Sequence, residues 1–409
     1  MRAPVRPAHA LMPALFAGLA ACASDAPDTR QSTVPYDASD LARARGACAN
    51  DSSRLEPIAF FNGPMPTGVT VSRKGRVFLS FPRWADPVEM TVAELVNGAL
   101  VPYPSAAINQ LSIKDAAKNL VSVQSVVVDP SDRLWLLDAG NVNWGLNLPG
   151  GPKLVGVDLK NDRVLRAIQF PPEVVLETTY LNDVRFDLRR GAQGTAFITD
   201  SSSLGPNGII VVDLATGKSL RRLQQSPSSR SDPGLAPIVE GEPLLERPRG
   251  ENPSRIKIGT DGIALSADGE TLYYRPLISH HLYGVSARAL ADASVSDVDV
   301  GSTVKDFGDI GFASDGIEAD TEGRLYLTDY EHQALRYLRP GETPATLVTD
   351  PRMIWPDTLA LSADGYLYVT VNQLNRQPRF HSGRDLRQGP YALFRVHLNA
   401  LPKALRLPP

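Results

Sequence analysis

Cysteine is nearly absent from this chain: the 409 residues contain only Cys22 and Cys48. Two thiols cannot build the disulfide framework that stabilises many small secreted domains. Burial of apolar side chains must therefore stabilise the fold, and a chain of this length can bury a large single core.

The sequence also lacks the local motifs of several enzyme classes. It contains no His-Glu-x-x-His, no Cys/His set at zinc-ligand spacing, no Gly-x-Ser-x-Gly elbow, no Walker loop and no Gly-x-Gly-x-x-Gly. These absences disfavour zinc enzymes, nucleotide-binding enzymes and hydrolases with a nucleophile elbow. They do not exclude a catalytic triad, because triad residues need not be close in sequence.

Neither acidic nor basic residues are in large excess: the chain has 42 basic and 45 acidic residues and a net charge of −3. No basic patch interleaved with aromatic residues is present, so nucleic acid is not an expected partner. No amphipathic helix of convincing length is indicated either.

The N-terminus has the form of a bacterial export signal. Arg2 and Arg6 precede an apolar stretch from Ala10 to Ala21, which is too short to span a membrane. We therefore expect residues 1–21 to be a signal peptide, followed by a flexible tether over residues 22–54.

The end of this segment, Leu19-Ala20-Ala21-Cys22, resembles the lipobox of bacterial lipoproteins. The resemblance implies lipidation at Cys22, with Ala23 favouring the outer membrane. We expect an anchored, periplasm-facing protein of the bacterial cell envelope. Ordinary cleavage after an Ala-x-Ala-like site is the alternative.

One phrase occurs six times: a short apolar run, a tight turn, and a second apolar run that often ends in Asp or Asn. Its copies are GVTVSRKGRVFLS from Gly68, SVVVDPSDRLWLLD from Ser125, DVRFDLRRGAQGTAFITD from Asp183, GIALSADGETLYY from Gly262, GIEADTEGRLYLTD from Gly316 and TLALSADGYLYVTVN from Thr358. Each copy is typical of a β-hairpin. Six hairpins with further strands between them predict an all-β, six-bladed β-propeller over residues 55–409. An open β-sandwich or two sheet domains are the alternative.

Acidic and amide residues recur at equivalent points of these hairpins. Those just before the first strand should ring the channel mouth: Gln124, Asn182, Asp183, Asp261, Asp315 and Asp357. Those that end the second strand should lie further from the axis on the same face: Asp138, Asp200, Asp329 and Asn372. The latter acids also suit a structural role, because Asp at a strand end often accepts hydrogen bonds from turn amides.

These oxygen-bearing side chains, without a His or Cys cluster among them, could bind either of two kinds of ligand. One is a hard cation such as Ca²⁺. The other is a protonated amine held between acids and an aromatic wall, for which Trp355, Trp135 and Trp144 are candidates. The Pro- and Ser-rich stretch from Gln225 to Pro253 is expected to be a long loop with one edge strand, or else a cap over the pocket.

Several segments resemble the bacterial branch of the major royal jelly protein and Yellow family. They are RLWLLDAG from Arg133, YLNDVRFD from Tyr180, AFITDSS from Ala196, GIIVVDLATGKSLRRL from Gly208, GTDGIALSADGETLYYRPL from Gly259, SDGIEADTEGRLYLTDYEH from Ser314 and WPDTLALSADGYLYVTVNQL from Trp355. The resemblance spans roughly residues 55–399. It implies a six-bladed propeller, secretion and a ligand pocket at the channel mouth. Insect members of the family include dopachrome-converting enzymes and salivary proteins that bind biogenic amines.

A more distant resemblance is to the calcium-dependent gluconolactonase and SMP-30 propellers. It implies Asn182, Asp261 and Asp315 as metal ligands. Those enzymes usually present Asn-Gly where this chain has Asp261-Gly262, and their first-blade Glu ligand has no clear counterpart here.

Together these features predict a monomeric propeller that binds a small aromatic or cationic ligand. The expected ligand-binding residues are Gln124, Asn182, Asp183, Asp261, Trp355 and Asn372. If the protein is an isomerase of the dopachrome-tautomerase type, Asp315 or Asp357 would take up a proton. The alternatives are a Ca²⁺-dependent lactonase or a scaffold for envelope proteins.

Overall fold

The computed structural model describes residues 54–84 and 86–398. The expected signal peptide, Cys22, Cys48 and all of the tether before Arg54 lie outside the described residues, as do residues 399–409. Within the described ranges, no helix has both the length and the apolar character needed to span a bilayer.

The described chain forms six four-stranded antiparallel sheets, which confirms the predicted six-bladed β-propeller. Blade 1 contains β2 (Val69–Val71), β3 (Val77–Ser80), β4 (Val92–Val96) and β5 (Ala99–Pro102). Blade 2 contains β6 (Val123–Val128), β7 (Arg133–Asp138), β8 (Lys153–Asp158) and β9 (Arg163–Gln169). Blade 3 contains β10 (Leu181–Asp187), β11 (Thr195–Asp200), β12 (Gly208–Asp213) and β13 (Ser219–Arg222).

The later blades repeat this order until the last one. Blade 4 contains β16 (Thr260–Leu265), β17 (Thr271–Pro276), β18 (His281–Ser286) and β19 (Lys305–Asp309). Blade 5 contains β20 (Ile317–Ala319), β21 (Leu325–Asp329), β22 (Ala334–Leu338) and β23 (Ala345–Thr349). Blade 6 contains β24 (Pro356–Leu361), β25 (Tyr366–Val371), β26 (Tyr391–His397) and β1 (Leu55–Phe61).

Blade 6 closes the ring with strands from both ends of the described chain. Strand β1 pairs antiparallel with β26, from Leu55 opposite Val396 to Phe61 opposite Tyr391. The first and last strands therefore share one sheet, which joins the two ends of the described chain and closes the ring of blades.

The hairpin turns confirm the alignment of the six repeats. The turn residues all have positive φ: Gly75, Asp132, Gly194, Gly269, Gly323 and Gly365. Glycine adopts this conformation without steric cost, and Asp tolerates it better than most other residues. The carboxylate of Asp132, the one exception to glycine, accepts a 2.9 Å hydrogen bond from the Arg73 amide in the neighbouring blade.

Short elements interrupt the blades. The hairpin of β14 (Ile238–Val239) and β15 (Glu242–Pro243) lies in the Pro-rich insertion, where we expected a single edge strand. The helices are α1 (Ala106–Asn109), α2 (Ala287–Ala291) and α3 (Asp297–Ser302). Single 3₁₀ turns span Pro227–Ser229, Leu374–Arg376 and Pro378–Phe380.

Two connections cover one face of the propeller. The cap, residues 225–258, leads into the start of innermost strand β16, and the blade-6 loop, residues 373–390, follows the end of β25. The start of a first strand and the end of its antiparallel partner lie at the same face, called the upper face here. Val239, Leu244 and Phe380 pack into one apolar cluster with channel-mouth aromatics. The insertion therefore caps the channel.

Candidate functional site

The innermost strands bulge at most of the predicted site residues. Strand pairing shifts between Val123 and Ser125, between Leu181 and Val184, between Thr260 and Ile263, and between Pro356 and Leu359. The sequence pattern predicted the site residues just before the first strands. These shifts instead leave five of them inside the strands: Gln124, Asn182, Asp183, Asp261 and Asp357. Asp315 alone precedes its strand. Bulges redirect side chains and are frequent at functional sites.

Second-strand hydroxyl groups accept hydrogen bonds from backbone amides of the site residues. Thr199 Oγ1 accepts a 3.1 Å hydrogen bond from the Asp183 amide. Thr328 Oγ1 accepts a 3.0 Å bond from the Asp315 amide. Buried amides without a partner would be costly, so these threonines allow the irregular backbone that presents the acids.

Asp261, Asp315 and Asp357, named the acid cluster here, come from blades 4, 5 and 6. The carboxyl groups of Asp261 and Asp315 lie close enough to form a hydrogen bond with each other, which they can do only when one of them is protonated. Asn182 Nδ2 donates to Asp261 Oδ1 at 2.5 Å. Trp355 Nε1 donates to Asp315 Oδ2 at 2.8 Å. The structure thus brings together five of the predicted residues in one interacting group, with Asp357 joined to it by electrostatic interaction.

Burial and mutual repulsion dominate the electrostatics of this cluster. Burial raises the pKa of Asp261 well above its usual value, and the charge of Asp357 raises it further. The pKa of Asp315 is raised well above its usual value by burial and then by Asp261, and that of Asp357 by burial and then by Asp315. Within residues 54–84 and 86–398, no Lys, Arg or His forms an ion pair with these three carboxyl groups.

Asp357 is held by polar neighbours of its own blade. Thr358 Oγ1 donates to its Oδ1 at 2.9 Å, and Asn372 Nδ2 donates to its Oδ2 at 2.6 Å. Asn372 is fully buried and also donates to the Pro66 carbonyl of the neighbouring segment at 3.0 Å. Its two donor contacts are made within the protein, so Asn372 positions Asp357.

Asp183 has a different environment because it has a cationic partner. Arg185 Nη1 donates to both of its carboxylate oxygens at 2.9 Å, and Ser125 Oγ donates at 2.8 Å. Arg185 Nη2 also donates to the Ile317 carbonyl at 2.7 Å and lies 3.6 Å from Glu318 Oε2. Sequence reasoning missed Arg185 and Glu318. The signal was available, because Arg185 follows Asp183 by two positions and alternate strand residues share a face.

Aromatic rings surround the upper face of the channel. Trp355 stacks on Tyr330 with centroids 4.1 Å apart and planes at 9°. Trp144 stacks between Trp84 and Tyr180, at 4.5 Å and 4.9 Å. Of these rings, only Trp355 and Trp144 were expected at the site. Trp355, Tyr330, Trp84 and Tyr180 belong to the apolar cluster of the upper face, and Trp144 packs against it.

Two further contacts complete the placement of the predicted residues. Gln124 Oε1 accepts a 2.9 Å hydrogen bond from the Tyr180 hydroxyl, which fixes that ring beside the channel. The expectation that Trp135 contributes to the wall is wrong. Its ring stacks on Phe186 at 5.2 Å between blades 2 and 3, and its Nε1 donates to Asp129. Alternation along β7 directs this side chain into the interface between the blades.

The acids that end the second strands have structural partners. Asp138 accepts from the Val121 and Ser122 amides at 2.7 and 2.8 Å and pairs with Lys153 at 2.7 Å. Asp200 accepts from the Tyr180 amide at 3.0 Å. These contacts fit the structural role that strand-end acids often have.

The cap is fixed to both neighbouring blades. Glu331 of blade 5 accepts a 2.8 Å hydrogen bond from the Ile238 amide of the cap and a 2.7 Å bond from the Ala313 amide. Glu240 of the cap pairs with Arg376 of the blade-6 loop at 2.6 Å. The acid cluster therefore lies beneath a hydrogen-bonded cover.

A cavity of about 620 Å³ lies between the cap and the blade-6 loop, and no acid-cluster residue lines it.

The residues that the lactonase resemblance implies as calcium ligands make polar contacts with one another. In the part of the chain that the structure describes, no three or more His, Cys, Asp or Glu side chains have the arrangement of a metal site. Of the three ligands that the lactonase resemblance implies, Asn182 directs its amide nitrogen at Asp261, and Asp261 shares a proton with Asp315. The contact with Asp261 thus uses the amide nitrogen of Asn182.

Comparison with known sequences gives consistent matches. A family profile described as "Major royal jelly protein" matches residues 121–399. The chain is similar to Protein yellow of Drosophila subobscura, with 29% identity over 59% of this chain and 43% of that protein. It is also similar to Major royal jelly protein 7 of Apis mellifera, with 28% identity over 46% and 40% of the two chains. The matched part is thus less than half the length of these relatives.

Solved structures support the architecture. A Xanthomonas campestris protein described as a gluconolactonase, XC5397, superposes with a TM-score of 0.51 at 11% identity, covering 86% of this chain and 93% of that one. A luciferin-regenerating enzyme superposes with a TM-score of 0.51 at 12% identity, covering 85% and 96%. At such low identity the likeness concerns the fold alone.

Proposed function

This chain belongs to the major royal jelly protein family, and from that premise we propose that its capped channel binds a small aromatic cation. The observation that carries the proposal is the acid cluster: the buried carboxyl groups of Asp261 and Asp357 and the partly buried one of Asp315, from three blades, with no cationic partner among the described residues. Uncompensated buried acids are costly to a fold, and they are typical of sites where a ligand supplies the missing charge.

The charge of the channel favours a cation. Asp183 and Glu318 lie beside the single guanidinium of Arg185, and the acid cluster adds three more carboxyl groups. Even when Asp261 and Asp315 share a proton, the acidic groups outnumber the cation. A protonated amine entering this region would therefore displace protons and replace repulsion with attraction.

The aromatic wall favours a flat, apolar body on that cation. Trp355 both donates to Asp315 and stacks on Tyr330, so one ring links the acid cluster to the apolar cluster of the upper face. The Trp84–Trp144–Tyr180 stack belongs to the same apolar region. An aromatic amine has both the charge and the ring that these surroundings can bind.

We extend this proposal to a proton-transfer reaction of the dopachrome-tautomerase type. Asp357, in its ionised form, would accept a proton from a ring carbon of the substrate. The proton held between Asp261 and Asp315 would pass to the substrate oxygen, so one proton leaves and one is gained. Conversion of dopachrome by the wild-type chain, and its loss in Asp357→Asn, would test this extension.

A metal-dependent lactonase is not the function that the channel favours. The polar atoms of Asn182, Asp261 and Asp315 bind one another, and they form no cluster of metal-site geometry. The likeness to gluconolactonase structures supports the propeller fold and carries no activity to this chain.

We also propose export and lipid anchoring at Cys22, with the propeller facing the periplasm from the outer membrane. The lipobox resemblance supports this location. Labelling with a tagged fatty acid in a bacterial host, compared between the wild type and Cys22→Ser, tests it. Equal labelling of both proteins would refute the anchor.

Thermal unfolding tests the ligand class. The full-length chain is heated with phenethylamine, dopamine or tryptamine, with a sugar lactone, and with Ca²⁺ or a chelator. A ligand that binds the native state raises the melting temperature by mass action. An amine-dependent rise that is insensitive to chelator supports the proposal. A Ca²⁺-dependent rise that the chelator abolishes would favour the lactonase, and no rise at all would favour a scaffold.

A further inference from the structure

A second pocket lies apart from the acid cluster, between the cap and the blade-6 loop. Its volume, about 620 Å³, lies within the range of small-molecule sites, roughly 300–1,000 Å³. The cap contributes the hairpin of β14 and β15, and the blade-6 loop contributes residues on both sides of Phe380. None of the channel carboxyl groups lines it, so its ligand need not resemble that of the channel.

Arginine dominates the polar lining of this pocket. Four arginines line it, against three acids, and two of the arginines are already neutralised. Arg376 pairs with Glu240 at 2.6 Å. Arg387 pairs with Asp385 at 2.6 Å and, outside the lining, with Asp86 at 2.7 Å.

The other two arginines, Arg247 and Arg384, have no carboxylate partner among residues 54–84 and 86–398. The remaining acid of the lining is Glu242, which forms no ion pair in those ranges. With Asp86, which pairs with Arg387 from outside the lining, the four arginines are matched by four acids. The pocket therefore has no large net charge, and its two arginines without a carboxylate partner suit a monoanion better than a multiply charged phosphate.

Arg247 is held in place without being neutralised. Its Nη2 donates to the Pro243 carbonyl of the cap at 2.9 Å, and its Nη1 donates to the Phe380 carbonyl of the blade-6 loop at 3.2 Å. A guanidinium has five N–H donors in a planar fork, so these two bonds leave donors available. A fixed fork of this kind suits the two oxygens of a carboxylate.

Apolar side chains form the rest of the wall. Val239 and Leu244 of the cap and Phe380 of the blade-6 loop are buried and belong to the apolar cluster of the upper face. A ligand with an aromatic or branched aliphatic body would gain from contact with them, at about 25 cal/mol per Å² of apolar surface removed from water.

We propose that this pocket is a binding site for a small organic monocarboxylate with an apolar body. Arg247 and Arg384 bind the carboxylate from the two sides of the pocket, and Phe380 and Leu244 contact the body. The site is separate from the amine site of the channel and does not depend on it.

Three ligands with one body and different head groups test the proposal. Calorimetric titrations of the full-length chain use phenylacetate, phenylacetamide and phenethylamine. We expect phenylacetate to bind at least about tenfold more tightly than phenylacetamide, because hydrogen bonds to a charged group are worth about 1.5–3 kcal/mol. Equal affinities for the acid and the amide, or no binding of phenylacetate, would overturn the proposal.

Variants locate the site. Arg247→Ala and Arg384→Ala should each weaken phenylacetate binding at least about tenfold. Arg384 is exposed and forms no side-chain hydrogen bond or ion pair among the described residues, so its variant should fold even if Arg247→Ala does not. Arg255→Ala removes the same charge from an exposed position on the cap and should leave phenylacetate binding unchanged. Undiminished binding by Arg384→Ala would refute the assignment.

The channel provides the remaining control. Asp315→Asn should leave phenylacetate binding unchanged, whatever it does to phenethylamine. If instead Asp315→Asn abolishes phenylacetate binding while Arg384→Ala does not, the acid binds in the channel and the second site is wrong. Failure of the amine site alone would leave the arginine-dependent binding of phenylacetate intact.

Discussion

The indole Nε1 of Trp355 donates a 2.8 Å hydrogen bond to Oδ2 of Asp315, and through this bond an aromatic side chain contacts the acid cluster. The bond lowers the pKa of Asp315, opposing the burial and the Asp261 charge that raise it. Trp355 therefore influences both the shape of the site and the fraction of Asp315 that is ionised.

Trp355→Phe separates these two contributions. The phenyl ring retains stacking on Tyr330 but loses the donor, so the pKa of Asp315 should rise further. We expect amine affinity at pH 7 to fall about three- to tenfold, and its pH midpoint to move upward. Calorimetric titration across pH checks this. Tyr330→Phe, which keeps its ring and loses only the bond to the Leu277 carbonyl, should leave the midpoint unchanged.

Asp315→Asn should stabilise the protein at neutral pH. The pKa of Asp315 is higher in the folded than in the unfolded protein, so folding favours its protonated form. Protonation of Asp315 therefore contributes stability at low pH, and this contribution is lost as the pH rises through the folded-state pKa. Asparagine mimics the protonated acid and can donate to Asp261. We expect a gain of about 1 kcal/mol or more at pH 7.5, since a tenfold change in proton affinity is worth about 1.4 kcal/mol.

Denaturant titrations of the wild type and Asp315→Asn at pH 4.5 and 7.5 measure this effect. The difference in unfolding free energy between variant and wild type should grow with pH. Glu342→Gln, an exposed substitution in the same blade, should show no such growth. A variant that is less stable than the wild type at pH 7.5 would contradict the proposed burial of uncompensated charge.

Amine binding should strengthen as pH rises from 5 to 8. The raised pKa values of Asp261, Asp315 and Asp357 mean that the cluster holds protons in the free protein, and a bound cation favours their release. Titrations in buffers of different ionisation enthalpy should detect proton release on binding. Affinity that is flat or falls over this range would show that the ligand does not contact the cluster.

Glu331→Gln should loosen the cap. The two carboxylate oxygens accept from the Ile238 and Ala313 amides and from His280 Nε2 at 2.8 Å. Although burial by itself raises its pKa, hydrogen bonds from these three groups hold the pKa of Glu331 below its usual value. A glutamine places an NH₂ group against one of these donors and breaks one contact.

Hydrogen exchange measures the effect of Glu331→Gln. We expect exchange of amides in residues 225–258 to accelerate about tenfold, because losing one hydrogen bond to a charged group is worth about 1.4 kcal/mol or more. Amine association should also become faster. Unchanged protection of the cap, with Glu342→Gln as the reference, would mean that Glu331 does not fasten it.

The fold was largely predictable because its signals are local. Each hairpin turn carries a residue that tolerates positive φ, such as Gly269 or Asp132, between two apolar runs. Strand direction then places the residues that begin the first strands on one face, which correctly located Asn182 and Asp261 at the channel. Ring closure by β1 was not predicted, because its partner β26 lies at the other end of the chain.

The site was less predictable where it depends on packing between distant segments. The cap is held by apolar contacts that give no periodic signal in a Pro-rich stretch. Arg185 was not predicted, although strand alternation places it on the Asp183 face, because it lies inside β10 rather than at a strand end. Trp135 was predicted in the aromatic wall, but alternation along β7 directs it into the interface with Phe186.

Titration of phenethylamine into the wild type, Asp315→Asn and Glu342→Gln at pH 7.5 tests the central claim most directly. If the acid cluster is the cation site, Asp315→Asn weakens binding about 10- to 100-fold, as expected for a lost charged contact of about 1.5–3 kcal/mol, and Glu342→Gln leaves it unchanged. Equal affinities of all three proteins, or no binding by the wild type, would contradict the claim that this channel binds an aromatic cation.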